Sequence, residues 1–147
     1  MDNFTILIAE DDPNDVMLLE LAIRKNGITN PVKVVRDGEE AIEYLEGKGQ
    51  YKDRERFPFP SVIISDVKMP RRNGLEVVEW VRRHPTCSII PIVMLSGSRI
   101  QNDVLSAYRL GANSYFTKPS TLDELSELLK LAFEYWTRSE RPLPGGA

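Results

Sequence analysis

The sequence predicts an α/β protein of the doubly wound (βα)5 kind, a parallel sheet covered by helices on both faces. Three observations predict it. Five short apolar runs recur along the chain, segments of helical period separate them, and distinctive polar residues follow the runs. A strict strand–helix alternation gives parallel strands joined by crossover helices.

The run at 5–9 is nearly continuous in apolar residues, as are those at 61–65 and 89–95. Such runs suit strands buried on both faces. Segment 12–26 reads as a helix. Asp12 is a good N-cap, Pro13 takes the first helical position, and Gly27 stands just past the end. The run at 32–35 and a shorter helix over 38–47 follow. The segment 46–60, EGKGQYKDRERFPFP, then breaks the rhythm. Helix-to-strand connections usually take about 2–6 residues. This one is longer, charged and closed by two prolines, and reads as a surface insertion. Lys52, Arg54 and Arg56 interleave with Asp53 and Glu55, the pattern of a mixed solvated face rather than a nucleic-acid patch. Phe57 and Phe59 either pack the insertion onto the body or mark a partner surface.

A third helix starts at Asn73 or Gly74, with Leu75, Val78 and Val81 three apart, and ends before Pro85. His84 reads as a cap at that C-terminus, where a cation is favourable. A fourth helix spans 99–110 and is closed by Gly111; the last run is 115–117. The helix over 121–136 has the clearest stripe: Leu122, Leu125, Leu129, Ala132, Phe133 and Trp136. Ser120 or Thr121 with Glu124 resembles a capping box. Tyr135 and Leu128 either broaden the core-facing stripe or meet a second copy. The folded domain is expected over 1–137, with a flexible Pro- and Gly-containing tail over 138–147.

Composition narrows the function classes. At 147 residues, 41% hydrophobic and 28% charged, the chain suits one domain with a full core. A net charge of −3 argues against a protein that coats nucleic acid. Cys87 is the one cysteine, so no intrachain disulfide is possible, a plain loop or core thiol is expected, and a reducing cytoplasm is the natural compartment. Met1-Asp2-Asn3-Phe4 does not open a signal peptide, and no run approaches the ~20 apolar residues of a membrane span. One Cys and one His cannot supply a soft-ligand metal site.

The chemistry lies at the ends of the runs. Glu10-Asp11-Asp12 follows the first, Asp66 the third, Ser96-Gly97 the fourth and Lys118-Pro119 the fifth. In a parallel sheet these ends share one edge, where ligands bind in this class of fold. Asp12 is explained as a helix cap. The other carboxylates repel one another, so one or more should have a raised pKa unless a cation joins them. A hard divalent cation is the natural partner, and magnesium typically takes one or two carboxylates together with waters and phosphate oxygens. Glu10 and Asp11 fit the metal-holding pair. Asp66 is then free to attack phosphorus and form an aspartyl phosphate. Lys118 would neutralise phosphoryl oxygens and Ser96 would donate a hydrogen bond to one.

These residues resemble a response-regulator receiver domain, the phosphoacceptor half of a two-component system. The matching pieces are ILIAEDDPND at 6–15, SVIISDVKMPRRNGLEVV at 61–78, PIVMLSGS at 91–98 and GANSYFTKP at 111–119. They occur in the family's order, and the resemblance covers roughly 4–136. It implies a five-stranded flavodoxin-like sheet of order 2-1-3-4-5. It also implies that Glu10 and Asp11 hold Mg2+ or Mn2+ together with Asp66 and the backbone carbonyl of Lys68. By the same resemblance Asp66 is phosphorylated by a histidine kinase, Ser96 and Tyr115 are switch residues, and Lys118 is the family's site lysine. Pro119 matches a proline preceded by a cis peptide, Met69-Pro70 and Gly74 the loop after the phosphoacceptor. Gly74 is expected to permit a turn that a side chain would hinder.

Two departures stand out. Gly97 follows the hydroxyl residue and leaves the pocket more open to water; the acidic pair is Glu-Asp. The insertion, the Lys118-Pro119-Ser120-Thr121-Leu122 pattern and the short segment after Trp136 resemble small stand-alone regulators paired with bacterial phytochrome kinases. The expected output is a protein contact: the kinase, a phosphotransfer protein, a target, or a homodimer through the fourth helix, fifth strand and fifth helix. No nucleic-acid or membrane partner is expected. Competing readings are an aspartyl-nucleophile phosphatase, which would want an acid where Lys68 stands; a flavin module, whose phosphate Glu10-Asp11-Asp12 would repel; and a receiver-like module that is never phosphorylated.

Overall fold

The protein is described over residues 4–142 of a computed structural model. Expectations about residues 1–3, and about the tail beyond 142, fall outside that range. Five strands alternate with five helices: β1 Ile6–Ala9, α1 Pro13–Lys25, β2 Val32–Val35, α2 Gly38–Glu46, β3 Val62–Ser65, α3 Gly74–Arg83, β4 Ile92–Ser96, α4 Gln101–Leu110, β5 Ser114–Thr117 and α5 Leu122–Arg138. All strand pairs are parallel and the order is β2-β1-β3-β4-β5. The doubly wound fold and its strand order are therefore as the sequence predicts.

Side-chain alternation splits the core in two. Leu7, Ala9, Ile63, Ile92 and Met94 face one layer, built by α2 and α3 with Ala107 of α4. Ile6, Ile8, Val62, Ile64, Val93 and Leu95 face the other, built by α1 and α5. Successive strand residues point to opposite faces, so three central strands buried at every position need a helical layer on each side. Lys25 pairs with Asp123 at 2.5 Å, and the Asn26 side-chain amide donates to the Ser126 carbonyl at 2.9 Å, fixing α1 against α5. Phe4 packs edge-on to Phe133, with ring centres 5.9 Å apart.

The helix starts follow their caps. Asp12 accepts from the Asn14 amide and Asp37 from that of Glu40. Thr121 takes the Glu124 amide, one half of the expected capping box; the reciprocal box is found at Asn73 and Glu76. α4 begins two residues later than expected, behind Ile100, which has no capping oxygen. β4 starts after Pro91, whose missing N–H suits a strand entrance, leaving Ile89 exposed. α5 runs two residues past Trp136, and Ser139 closes it. No helix among the described residues is long and apolar enough to cross a membrane.

Three local expectations need correction. The insertion is not a solvated face throughout. A short 3-10 turn, Gly49–Lys52, buries Tyr51 against Tyr44, and Phe57 meets both rings edge-on. Arg54 lies over the Tyr44 and Phe59 rings and donates to the carbonyls of Tyr44, Leu45 and Phe57. It thereby satisfies orphan carbonyls at the end of α2. His84 occupies the C-cap of α3, where its backbone N–H donates to the Trp80 and Val81 carbonyls, but its side chain turns to the following loop: Nδ1 takes the amides of Thr86 and Cys87 at 3.1 and 3.2 Å while the ring stacks on Trp80. Finally, no peptide bond among the described residues is cis, so the one before Pro119 is trans, the form that X–Pro bonds intrinsically prefer. Cys87 is a buried thiol whose pKa burial pushes up to about 11.

Arg54→Ala is expected to cost about 1–3 kcal/mol, because it strands buried carbonyls and uncovers two rings. Urea unfolding should show the loss as a lower midpoint at unchanged slope.

Candidate functional site

The strand register assembles the site. Ala9 lies opposite Ser65 in the β1–β3 pair, so the next residues, Glu10 and Asp66, leave neighbouring strands side by side. Here the strand order reverses direction, and the crevice outside the carboxyl ends of the strands is the ligand position of open α/β sheets. The Asp66 amide donates to the Ala9 carbonyl at 3.0 Å, and the Glu10 amide to Val35 at 3.0 Å. Both backbones continue their ladders by one bond, which gives the side chains a rigid base. Across the sheet, Ser96 pairs with Thr117, and the Lys118 amide donates to the Ser96 carbonyl at 2.8 Å.

Four predicted residues converge. Carboxylate oxygens of Glu10, Asp11 and Asp66 lie within 4.8 Å of one another. Lys118 Nζ stands 2.9 Å from Glu10 Oε2 and 3.1 Å from Asp66 Oδ2. Glu10 is almost fully buried and Asp66 buried, whereas Asp11 is exposed. Glu10 Oε1 accepts the Asp12 amide at 3.1 Å, and Asp66 Oδ1 accepts that of Val67 at 2.7 Å. Each anchored carboxylate thus keeps its second oxygen for the crevice. Burial pushes Glu10 up to about 7, against the pull of the Lys118 hydrogen bond; the Asp66 charge adds to the rise. The raised carboxyl expected from repulsion is present, but desolvation is its main cause. Lys118 is held well above the ordinary lysine value: burial works against its charge, and the hydrogen bonds it donates to Asp15 and Glu10 outweigh it.

The donor set fits a hard divalent cation. It offers carboxylate oxygens only, arranged close enough to share one ion. Three carboxylates facing a single ammonium also leave negative charge that a cation would neutralise.

Asp15 escaped the sequence reading. It occupies the first turn of α1, and its Oδ2 lies 2.6 Å from Lys118 Nζ. The signal was available: Asp15 stands in the first turn of the helix that opens directly after Glu10 and Asp11, close to the rim they occupy. It reads equally well as an acid complementing the helix dipole, which hid it.

Ser96 is buried, and its Oγ accepts the Ser98 amide at 3.2 Å. Tyr115 is half-buried against the core, and its hydroxyl donates to the Ser98 carbonyl at 2.9 Å. Both switch candidates therefore grip the same loop residue. A Cβ built at Gly97 would meet nothing within 4 Å, in keeping with an open pocket. Lys68 is exposed.

The loop after Asp66 is tied down tightly. The Gly74 amide donates to the Val67 carbonyl at 2.7 Å. A Cβ at Gly74 would lie 1.9 Å from the Asp66 carbonyl oxygen, so a side chain here would hinder the turn, as expected, and the cause is the close approach of backbone. Arg71 adopts φ 64°, rare for a side chain of its size, and pairs with Asp37 through Nε–Oδ2 at 2.9 Å and Nη2–Oδ1 at 3.2 Å. The Gly38 amide donates to the Arg72 carbonyl at 2.9 Å.

Comparison with known proteins agrees with this geometry. The response regulator receiver domain family matches residues 6–130. The response regulator Rcp1 of Synechocystis is 30% identical over 131 residues, covering 89% of this chain and 87% of that protein. Its Mn2+-bound crystal structure aligns with a TM-score of 0.83 at 29% identity, covering 95% of this chain and 99% of that one. The phosphorylated cyanobacterial phytochrome response regulator RcpA aligns at 0.86 with 33% identity, covering 95% and 99%. The response regulator RPA3017 in red light signalling of R. palustris aligns at 0.89 with 28% identity, covering 95% and 98%. The chain belongs to the response regulator receiver family of two-component signalling.

Gly74→Ala is expected to destabilise the fold by about 1–3 kcal/mol or more, since backbone and not a flexible side chain blocks the new methyl group. Amide shifts of Asp66 and Val67 should move with it, measured by NMR.

Proposed function

We propose that the protein is a phosphoacceptor regulator modified on Asp66. The observation that carries this reading is Asp66 Oδ2 held 3.1 Å from Lys118 Nζ, beside two further metal-competent carboxylates. Asp66 Oδ2 attacks the phosphorus of a kinase phosphohistidine; the P–N bond breaks and its electron pair returns to the imidazole nitrogen. Glu10, Asp11, Asp66 and the Lys68 carbonyl would hold Mg2+ or Mn2+, which neutralises charge on the transferring group. Lys118 balances a second phosphoryl oxygen. The modification adds about −1.5 to −2 charge in place of −1, beside a buried hydroxyl able to answer it.

Ser96 and Tyr115 form the switch. Ser96 Oγ turns toward the new oxygens and gives up the Ser98 amide. The same residue holds the Tyr115 hydroxyl through its carbonyl, so the change passes to α4 and β5. The driving free energy is the difference in contacts between the two states. The surface formed by α4, β5 and α5 is the output, through contact with another protein or a second copy. Exposed Ile100, Leu105, Tyr108, Leu131 and Tyr135 on or beside these helices support an apolar contact. A phytochrome-type histidine kinase in the cytoplasm is the donor this reading favours, supported by the likeness in sequence and fold to Rcp1, RcpA and RPA3017. Such a protein signals by stoichiometric modification rather than by turning over a substrate.

Incubation with acetyl phosphate and Mg2+ should add one phosphoryl mass to the intact protein, lost in Asp66→Asn and on chelation with EDTA. Absence of that mass, or its survival in Asp66→Asn, would refute the assignment. Ser96→Ala should still accept the group but lose the NMR shift changes that phosphorylation brings across residues 99–136. Equal shift changes in both proteins would exclude the switch.

A further inference from the structure

We propose that Asp15 is the positioning residue for Lys118, holding its ammonium at the reacting centre while Glu10 and Asp66 change partners. The inference rests on Asp66 being the phosphoacceptor. An ammonium offers three N–H donors, and three carboxylates surround this one: Asp15 at 2.6 Å, Glu10 at 2.9 Å and Asp66 at 3.1 Å. Two of the three are transient partners. Glu10 and Asp66 belong to the trio whose oxygens fit a shared cation, and an oxygen bound to a cation is a poorer acceptor for an ammonium. Asp66 also becomes the acyl phosphate. Asp15 lies outside the trio and makes the shortest of the three contacts.

Its platform is rigid. The next residue, Val16, is buried, as is Leu19 one turn on, so α1 presents Asp15 from a fixed frame. Lys118, by contrast, follows an edge strand that is half-buried throughout. A lysine stem has four rotatable bonds and a point charge without preferred direction. Once Glu10 and Asp66 turn to the cation and the phosphoryl group, Asp15 is what fixes the height of Nζ above the sheet. Misplacing a charge-stabilising group by about 1 Å can cost up to about a hundredfold in rate, so a tether of this kind matters to the transfer.

The test follows Asp66 phosphorylation by intact mass, with acetyl phosphate as donor and saturating Mg2+. Attack of Asp66 on this donor breaks the P–O bond and releases acetate. Asp15→Ala should slow the step about tenfold. Asp15→Asn keeps a neutral acceptor and should slow it about threefold, since charge-assisted hydrogen bonds are roughly twice as strong as neutral ones. Calorimetric Mg2+ affinity should stay within about twofold in both, because Asp15 is not a ligand. In a Lys118→Ala background Asp15→Ala should change the residual rate no further, as expected when one residue acts through the other. A rate for Asp15→Ala equal to or above the wild-type rate overturns the proposal. So does an equal loss in the Lys118→Ala background, or a loss of Mg2+ affinity parallel to the loss of rate. A wild-type protein that takes no phosphoryl group shows instead that the underlying reading fails, and the positioning role falls with it.

Discussion

One ammonium against three carboxylates is the constraint around which this molecule is arranged. Lys118 meets Glu10, Asp15 and Asp66 at distances of 2.6 to 3.1 Å; Lys118, Glu10 and Asp66 stand just past β5, β1 and β3, and Asp15 lies in α1. Each partner is brought to the crevice by a different element. The cluster therefore exists only when the sheet has its parallel order and correct register. A one-residue slip between β1 and β3 would turn either Glu10 or Asp66 into the wrong face. The surrounding apolar layers serve this end: they hold three central strands rigidly enough for four polar side chains to meet at one rim. Partial burial is also what strengthens the charges, since attraction grows as water is excluded.

The protein places another cation where nothing is to react. Arg82, half-buried, donates to the carbonyls of Gly111, Ser88 and Ile90 and to the Asn113 side chain. It meets no carboxylate among these partners, and burial lowers its pKa. At this far end of the sheet the guanidinium is a connector that gathers loop carbonyls, and Arg54 does the same for the insertion. A planar fork suits fixed carbonyls; a lysine suits a site whose partners change.

Much of this was legible in the residues. Apolar runs, caps and Gly stops located all ten elements, and the polar residues after the runs located Glu10, Asp11, Asp66, Ser96 and Lys118. What remained hidden depends on distance in space. Asp15 looked like an ordinary first-turn acid, because its partner lies over a hundred residues away, just past β5. The insertion looked solvated because its charges alternate; Arg54 is nonetheless claimed by the carbonyl end of α2 and by two rings. His84 looked like a side-chain cap for the end of α3, whereas its Nδ1 is taken by two amides of the following turn. Gly74 was legible as a glycine that matters, but the reason, the Asp66 carbonyl pressed against it, is tertiary.

The fourth helix is attached unlike the others. It buries Ala107 alone, starts without a side-chain cap, and turns Leu105 and Tyr108 outward. Elements with little buried apolar area give way at low free energy. Little work is therefore needed to shift α4, while the same event in α3, with Val77, Val78 and Val81 locked in the interior, would break open a core layer. Under the proposed modification of Asp66, a change at the rim would meet its most lightly anchored neighbour in α4, whose outward side chains lie open to solvent.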